Sequence, residues 1–578
     1  MFNPSHLLGI FSAFNASHFE TLDFTALAGA AQPNRLGGVV QMRPFAIKNG
    51  GVDSLAQHER KVEGAELNVG PMSSQGTIRV RPNGKLLFVA SARQAYMNLL
   101  YGKWLDFDGS PLRYSFGDYN VTLSYRPSMR HRFDLNAYFG QDRASYTEGA
   151  HLMHVRLNWL NYAAEASWRV MDKSWQLTQR LVVSGYQNDF RLRQAGQKMS
   201  LPSHIRQYGY QAEWNCNSWQ IGGSYSLYQI LPQSPQIEST YTQIETARQE
   251  KGVAHEANVY AGWQYGWHDG QWVLKPEGRV TYYRDVDQKS WFSISPMLTL
   301  SWQAAPQHRL GVQLSVANQY VQQTGFTSLG LPTEFWFSAS RELKPQRAEG
   351  LSLLYDGQTP NNAWAFTANA YVKRLHHQKE YKDNVLDLIN EAYSLNKSLL
   401  QGRGLNYGFG VQLTRQSGPV TGWVGYAFGR SLRKFPELRE RSFYPANHER
   451  VHEFNLVATW QALKRVTFTC SAVFASGTPF TSANEFYLMN GYVVAQYGKH
   501  NGCHLPWYKR VDMAVNVDLK QKRQRHFRHG FNVSLFNAFG FNNPLFYRLR
   551  IRRDGNFRFA PVCFLKYPLP SFSYYIKY

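Results

Sequence analysis

The sequence predicts an all-β chain closed into a transmembrane antiparallel β-barrel of about 22 strands. Three observations carry this prediction. Apolar and polar residues alternate with period two, connections alternate between short and long, and an aromatic-rich composition contains no long apolar run. The alternation is clearest in 511–520, where Val511, Met513, Val515, Val517 and Leu519 share one face and Asp512, Asn516, Asp518 and Lys520 the other. Segments 292–302, 310–317 and 405–414 repeat it, with Phe292, Ile294 and Leu298, then Leu310, Val312 and Leu314, then Tyr407, Phe409 and Val411 on the apolar side. A tilted strand of about 9–11 residues suffices to cross a bilayer.

The connections fix the count. Short turns stand at Pro82-Asn83-Gly84, Pro127–Arg130, Asp172-Lys173, Asn215–Asn217, His268–Gly270, Ala305–Gln307, Gln358–Asn361, Ser417–Pro419 and Lys464-Arg465, and a longer basic turn at Gln521–His529. Long polar loops are expected near 96–115, 190–205, 231–250, 322–344, 378–402, 433–451, 477–507 and 541–568. Counting from Lys61 gives an even number of strands with the short turns all at one end, as in outer-membrane barrels. A soluble sandwich would alternate too, but its strands are usually shorter, about 5–6 residues. Pro276 and Pro296 predict bulges or register breaks, because a closed barrel has no free edge to hold a proline.

Composition agrees. Aromatic residues make up 15% of the 578, including 35 Tyr and 16 Trp, side chains suited to a water–lipid boundary. Mean hydropathy is −0.45, as expected when alternate residues face a polar lumen rather than lipid. The net charge of +23 raises the question of nucleic acid, but no recognition helix or RNA-binding aromatic strand accompanies it. A cationic surface against outer-membrane lipid headgroups and lipopolysaccharide accounts for it better. Cys216, Cys470, Cys503 and Cys563 lie far apart and form neither a disulfide framework nor a zinc pattern.

At this point a family resemblance becomes visible. Leu331-Pro332-Thr333-Glu334-Phe335-Trp336 with Lys344-Pro345-Gln346, Tyr444-Pro445-Ala446-Asn447, Ala475-Ser476-Gly477-Thr478-Pro479-Phe480-Thr481, Leu505-Pro506-Trp507-Tyr508 and Ser534-Leu535-Phe536-Asn537 stand in the order and spacing of motifs in TonB-dependent outer-membrane receptors. The chain resembles the branch with a carboxypeptidase-like regulatory domain before its plug. Asn3-Pro4-Ser5-His6-Leu7-Leu8-Gly9, Phe11–Asn15 and Arg35-Leu36-Gly37-Gly38 resemble the end of that plug. Where the family carries a Glu in the stretch corresponding to Gly404–Gly410, this chain has Phe409.

The resemblance implies two parts: residues 1–48 as the C-terminal remnant of a plug domain and residues 49–578 as the barrel. It implies a multi-pass protein of the cell outer membrane that takes up an unidentified nutrient. A passive or porin-like channel is the alternative. The start at Met1-Phe2-Asn3-Pro4 shows no signal peptide or TonB box, so a truncated receptor is expected. Contact with the TonB complex then depends on the region before it, and whether a surface lipoprotein caps the barrel stays open.

Several constellations invite chemistry. Arg510, Asp512 and Asn516 fall on the polar face of one strand, and Arg550 and Arg552 in the last long loop, as lumen or loop candidates for substrate binding. Basic residues also gather at Arg430, Arg433 and Lys434. His500, Cys503 and His504 lack the partners of a metal or haem motif, and His376-His377 reads as a solvated rim. No cofactor is implied, and the absence of GxSxG, HExxH and P-loop patterns argues against an enzyme. The last strand ends with Phe572, Tyr574, Ile576 and Tyr578 on one face, which resembles the family's signal for barrel insertion.

Overall fold

The computed structural model describes residues 2–3, 6, 14–27, 29–47, 62–99, 101–102, 105–107, 110–148, 153–194, 196–233, 236–239, 251–325, 334–381, 395–436, 442–489, 492–520, 527–551, 557–564 and 566–578. The chain forms a closed antiparallel barrel of 22 strands. The first eleven are Val62–Val69, Ser73–Asn83, Leu86–Ala95, Arg113–Tyr125, His131–Glu148, Met153–Met171, Trp175–Gln194, Gln197–Cys216, Trp219–Leu231, Gly252–Trp263 and Trp272–Arg284. Ser290–Ala305, His308–Gln319, Gln346–Gln358, Trp364–Tyr381, Leu399–Arg415, Val420–Lys434, His452–Leu463, Val466–Ala475, Tyr508–Asp518, Arg528–Phe536 and Leu569–Lys577 complete it. The last strand closes on the first through Glu66↔Lys577, Leu67↔Ile576, Asn68↔Tyr575 and Val69↔Tyr574.

The alternating segments lie within strands except for Leu519 and Lys520, just past the strand that ends at Asp518, and their apolar faces point outward: Phe292, Ile294, Leu314, Phe409 and Met513 are exposed on the outer wall. That exposure is stable only where lipid replaces water. The short turns gather at one end, where positive φ is met by turn residues such as Asn217, Asp269, Asn362 and Gly418. There Trp219, Trp263, Tyr265, Trp267, Trp272 and Trp302 form a continuous run of ring contacts 5.2 to 6.0 Å apart. Tyr and Trp concentrate at a water–lipid boundary for this amphipathic reason.

Two expectations are corrected. Residues 190–205 are not a long loop: Trp175–Gln194 and Gln197–Cys216 run as 20-residue strands paired as far as Gln194↔Gln197. The prolines also break no register. Pro276 pairs with Leu298 and Gly278 with Pro296 in an unshifted ladder. On the other side, the ladder skips the position facing Pro276 between Gly262↔Glu277 and Tyr265↔Leu274, and pairing of the strand of Pro296 with His308–Gln319 starts only at Met297. Each proline is accommodated by an omitted hydrogen bond, as its missing N–H requires, without an inserted residue.

The wall is uneven in height. Four adjacent strands between His131 and Cys216 have 18, 19, 20 and 20 residues, whereas Arg528–Phe536 and Leu569–Lys577 have 9 each. At about 3.3 Å per residue and a tilt of roughly 40°, these lengths rise about 50 Å and about 23 Å along the axis. On the low side, hairpins Ala483–Met489 with Tyr492–Tyr497 and Pro544–Ile551 with Phe557–Cys563 pair only within themselves.

One position tests the tightness of the wall. Gly422 has φ +146°, and a Cβ there would meet Val457 O and Ala458 Cα. Gly422→Val is expected to cost about 1–3 kcal/mol through this backbone requirement. The heat-modifiable, folded form on gels should then melt at lower urea; an unchanged midpoint would refute the packing account.

Candidate functional site: a lumen filled in two layers

The inward faces of the strands change character along the axis. In Arg113–Tyr125 the inward residues are Tyr114 and Phe116 toward the long-loop end, then Asp118, Asn120, Thr122 and Ser124. Met153–Met171 does the same, passing from Val155, Leu157 and Trp159 to Asn161. Tyr228 and Ile230, and Tyr283, occupy the corresponding level of their strands. The expected polar lumen therefore holds for the short-turn half only. Its other half is an aromatic layer, buried by segments of the chain that fold inward.

The polar layer is occupied by residues before the first strand. Phe19–Thr25 and Val39–Pro44 form a hairpin inside the barrel, with Gly38 at φ +121° where a Cβ would press on Thr25 O. Buried wall residues grip the segment's backbone. Arg279 Nε donates to Ala30 O at 2.7 Å and Nη1 to Asn34 Oδ1 at 2.7 Å, and Nη2 reaches Ala30 O and Gln32 O. Lys373 Nζ donates to Ala26 O at 3.0 Å and Leu36 O at 3.2 Å. Asn34 Nδ2 reaches Glu256 at 3.1 Å and Asn258 at 3.2 Å, and Ile47 packs on Leu87 and Val89. These contacts span the lumen from the strand at Leu86–Ala95 to that at Trp364–Tyr381. Leu22, Phe24 and Val40 of the inner hairpin nevertheless remain exposed.

Two histidines of the segment are held in opposite electrostatic settings. His6 lies between Asp142 (2.8 Å) and Asp118 (3.3 Å) and stacks on Phe116 at 4.0 Å. Burial pulls its pKa down, but hydrogen bonds and charge from Asp118 and Asp142 outweigh this and raise it above the ordinary histidine value. His18 faces only hydroxyls, Thr122 Oγ1 and Ser91 Oγ, each at 3.0 Å. Burial without a carboxylate lowers its pKa to about 4.

The aromatic layer is completed by a second inward element. Val321–Thr324 pairs with Phe335–Ser338 in a hairpin outside the barrel sheet. It lies across the lumen against Gln197–Cys216 and Trp219–Leu231, although three strands separate its base from them. Tyr283 and Ser338 hydroxyls meet at 2.7 Å, Tyr283 stacks on Tyr320 at 4.5 Å, and Asn188 Nδ2 donates to Glu334 O at 3.4 Å. Phe2 of the inner segment packs edge-on against Trp336 at 5.2 Å, and Arg35 lies 5.6 Å over the same ring. Inner segment and mouth hairpin thus touch directly.

The candidates named from sequence sit elsewhere. Arg510 and Asp512 are bound to each other at 2.6 Å; Arg510 also covers Phe536, and Asp512 accepts from Asn537 N at 2.9 Å. Asn516 accepts from Asn532 Nδ2 at 2.8 Å in the neighbouring strand. Arg550 belongs to Pro544–Ile551, where its backbone pairs with Arg558, and Arg552 falls outside the described residues. Arg430 pairs with Glu449, and Arg433 with Asn406. His500 bonds Glu380 at 2.6 Å, and Tyr444 bonds the same carboxylate at 2.7 Å, tying loops together. Phe572, Tyr574, Ile576 and Tyr578 lie on the outward face, opposite inward Ser573 and Tyr575. Residues that grip the segment, such as Arg279 and Lys373, were missed: a lone inward charge on a strand looks like ordinary lumen polarity.

No protein-family model and no curated protein matches this sequence. Solved structures do match. The ferripyoverdine receptor of the outer membrane of Pseudomonas aeruginosa aligns with a TM-score of 0.64 at 9% identity, over 97% of this chain and 76% of that one. The ferric-catecholate import receptor Fiu of E. coli K12 gives 0.63 at 10%, over 97% and 87%. The ferric citrate transporter FecA gives 0.60 at 11%, over 98% and 85%. The closed 22-strand barrel is thus the barrel fold of TonB-dependent receptors.

Proposed function

We propose that this chain is the barrel portion of an outer-membrane TonB-dependent receptor that imports a nutrient too large or scarce for porins. One observation carries the reading: the lumen is obstructed by the chain's own residues, gripped at Ala30, Gln32 and Asn34 by buried Arg279. A passive channel has no use for such an obstruction; a gated importer does. The uncovered apolar face of Leu22, Phe24 and Val40 supports reading residues 1–48 as the end of a larger plug domain, with 49–578 as the barrel. In this reading the long loops face the medium and lipopolysaccharide, the short turns face the periplasm, and the outward face of Phe572, Tyr574, Ile576 and Tyr578 guides insertion. The ferric siderophores of the matched receptors are the first ligands to assay, and Arg510, Asp512, Asn516, Arg550 and Arg552 are lower-ranked contacts than the mouth.

The test is conductance of the whole chain in planar bilayers. The unaltered protein should carry no steady current, and Arg279→Met should introduce openings as the segment loosens. A steady current through the unaltered chain would establish the porin-like alternative instead.

A further inference from the structure

The mouth hairpin is poorly explained as part of the wall. Its two strands share no ladder with the barrel, so its hold on the opposite wall consists of side-chain packing and single hydrogen bonds. Such contacts can be exchanged for those of another molecule, whereas a ladder strand cannot leave without breaking a row of backbone bonds. The surface beneath it is chemically specific. Tyr186, Tyr228 and Tyr283 present rings and hydroxyls, Ile205 and Ile230 fill between them, and all five are buried. Trp159 Nε1 on the same wall is buried without a hydrogen-bond acceptor, a costly state that a bound acceptor would relieve.

We infer that the hairpin Val321–Thr324/Phe335–Ser338 occupies the receptor's ligand site as an intramolecular stand-in, and that the cargo is a compound with an aromatic or apolar body bearing hydroxyl or carbonyl groups. Phe335, Trp336 and Phe337 supply the apolar body, and Ser338 with the Glu334 carbonyl supplies the polar groups that meet Tyr283 and Asn188. A rigid ring paired with a few hydrogen bonds is the usual economy of such a pocket. A strongly anionic cargo fits less well, because no wall lysine or arginine stands among these residues. Since Trp336 touches Phe2 and Arg35 of the inner segment, a ligand that displaces the hairpin also removes contacts that hold that segment. The inference rests on the receptor reading and names the class of its cargo.

The probe is 4-nitrophenyl β-glucoside, an aromatic ring on a polar body that stays out of bilayers, titrated calorimetrically against the whole chain in lipid nanodiscs. Phe335→Ala with Trp336→Ala should bind it at least tenfold more tightly than the unaltered protein, and adding Tyr186→Ala should abolish the gain. Hydrogen exchange at Val321–Thr324 reports release of the hairpin. Release with unchanged affinity would overturn the inference, as would a hairpin that stays protected in the double variant. Should the double variant lose its heat-modifiable folded form, Ser338→Ala, which removes the bond to Tyr283 and the local one to Ala339 O, should show the same tightening at smaller amplitude; no change would overturn it. Conductance is read separately, so a channel that is open from the start sinks the receptor reading while hairpin and probe results judge the site.

Discussion

Arg279→Met is expected to loosen the inner segment by about 3–5 kcal/mol, the range for removing one partner from a buried charged network. Arg279 is 5% exposed, and its guanidinium serves two carbonyls and one side-chain oxygen of the segment at once. Methionine fills much of its volume but leaves those oxygens buried without their donor and removes the positive charge beside Glu256 and Glu277. The strand itself should persist, because its ladder to Ser290–Ala305 runs through backbone atoms. Amides of residues 29–36 should therefore lose protection from hydrogen exchange by on the order of 100-fold or more, while wall amides keep theirs. Equal protection in both proteins would show that the grip lies elsewhere.

The second large effect is on pH. His18 titrates at about 4 in place and at 6.5 when released, so its neutral form favours the seated segment. That contribution is complete above pH 6.5 and is lost as pH falls toward 4, amounting to about 3 kcal/mol at the acid end. His6 works in the opposite sense. Its raised pKa means that the charged form favours the seated state, fully below 6.5 and progressively less as pH rises through the raised value. Seating should hence be firmest near pH 6.5. Exchange at residues 14–27 followed across pH should show both limbs. His18→Asn should flatten the acid limb and His6→Asn the alkaline one; a His18→Asn protein that still releases on acidification would assign the acid limb to carboxylates instead.

Much of the barrel was legible because lipid imposes a strict rule. In 511–520 and 292–302 one face must be apolar and the next residue need not be, so the period shows plainly. The rule lapses where lipid ends. The strand ends at Gln187–Gln194 and Gln197–His204 lie far from the short turns, where an outer face no longer has to be apolar, and the alternation of apolar and polar residues that marks a strand fades. The aromatic layer hides for a related reason: Tyr186 and Phe190 on the inner phase share a strand with apolar outer residues such as Leu181 and Val183, so the stretch reads as merely apolar. The Leu331–Trp336 motif carries the family resemblance, yet Trp336 turns inward to Phe2 and Arg35, some three hundred residues away in the chain. No local pattern encodes that.

The uneven wall has a mechanical consequence. On one side the rim is a continuous, cross-strand-bonded sheet from His131 to Cys216, stiff because each residue is tied to two neighbours. On the other side the short strands are topped by hairpins that share no ladder with the wall and are held to the rest by side-chain packing, as at Val562 and Phe480–Tyr547. The mouth therefore has one rim braced by continuous backbone ladders and one rim capped by separate two-stranded units. Under the proposed receptor function, binders that grip the low-side hairpins should therefore interfere with uptake more than binders of the taller, ladder-braced face.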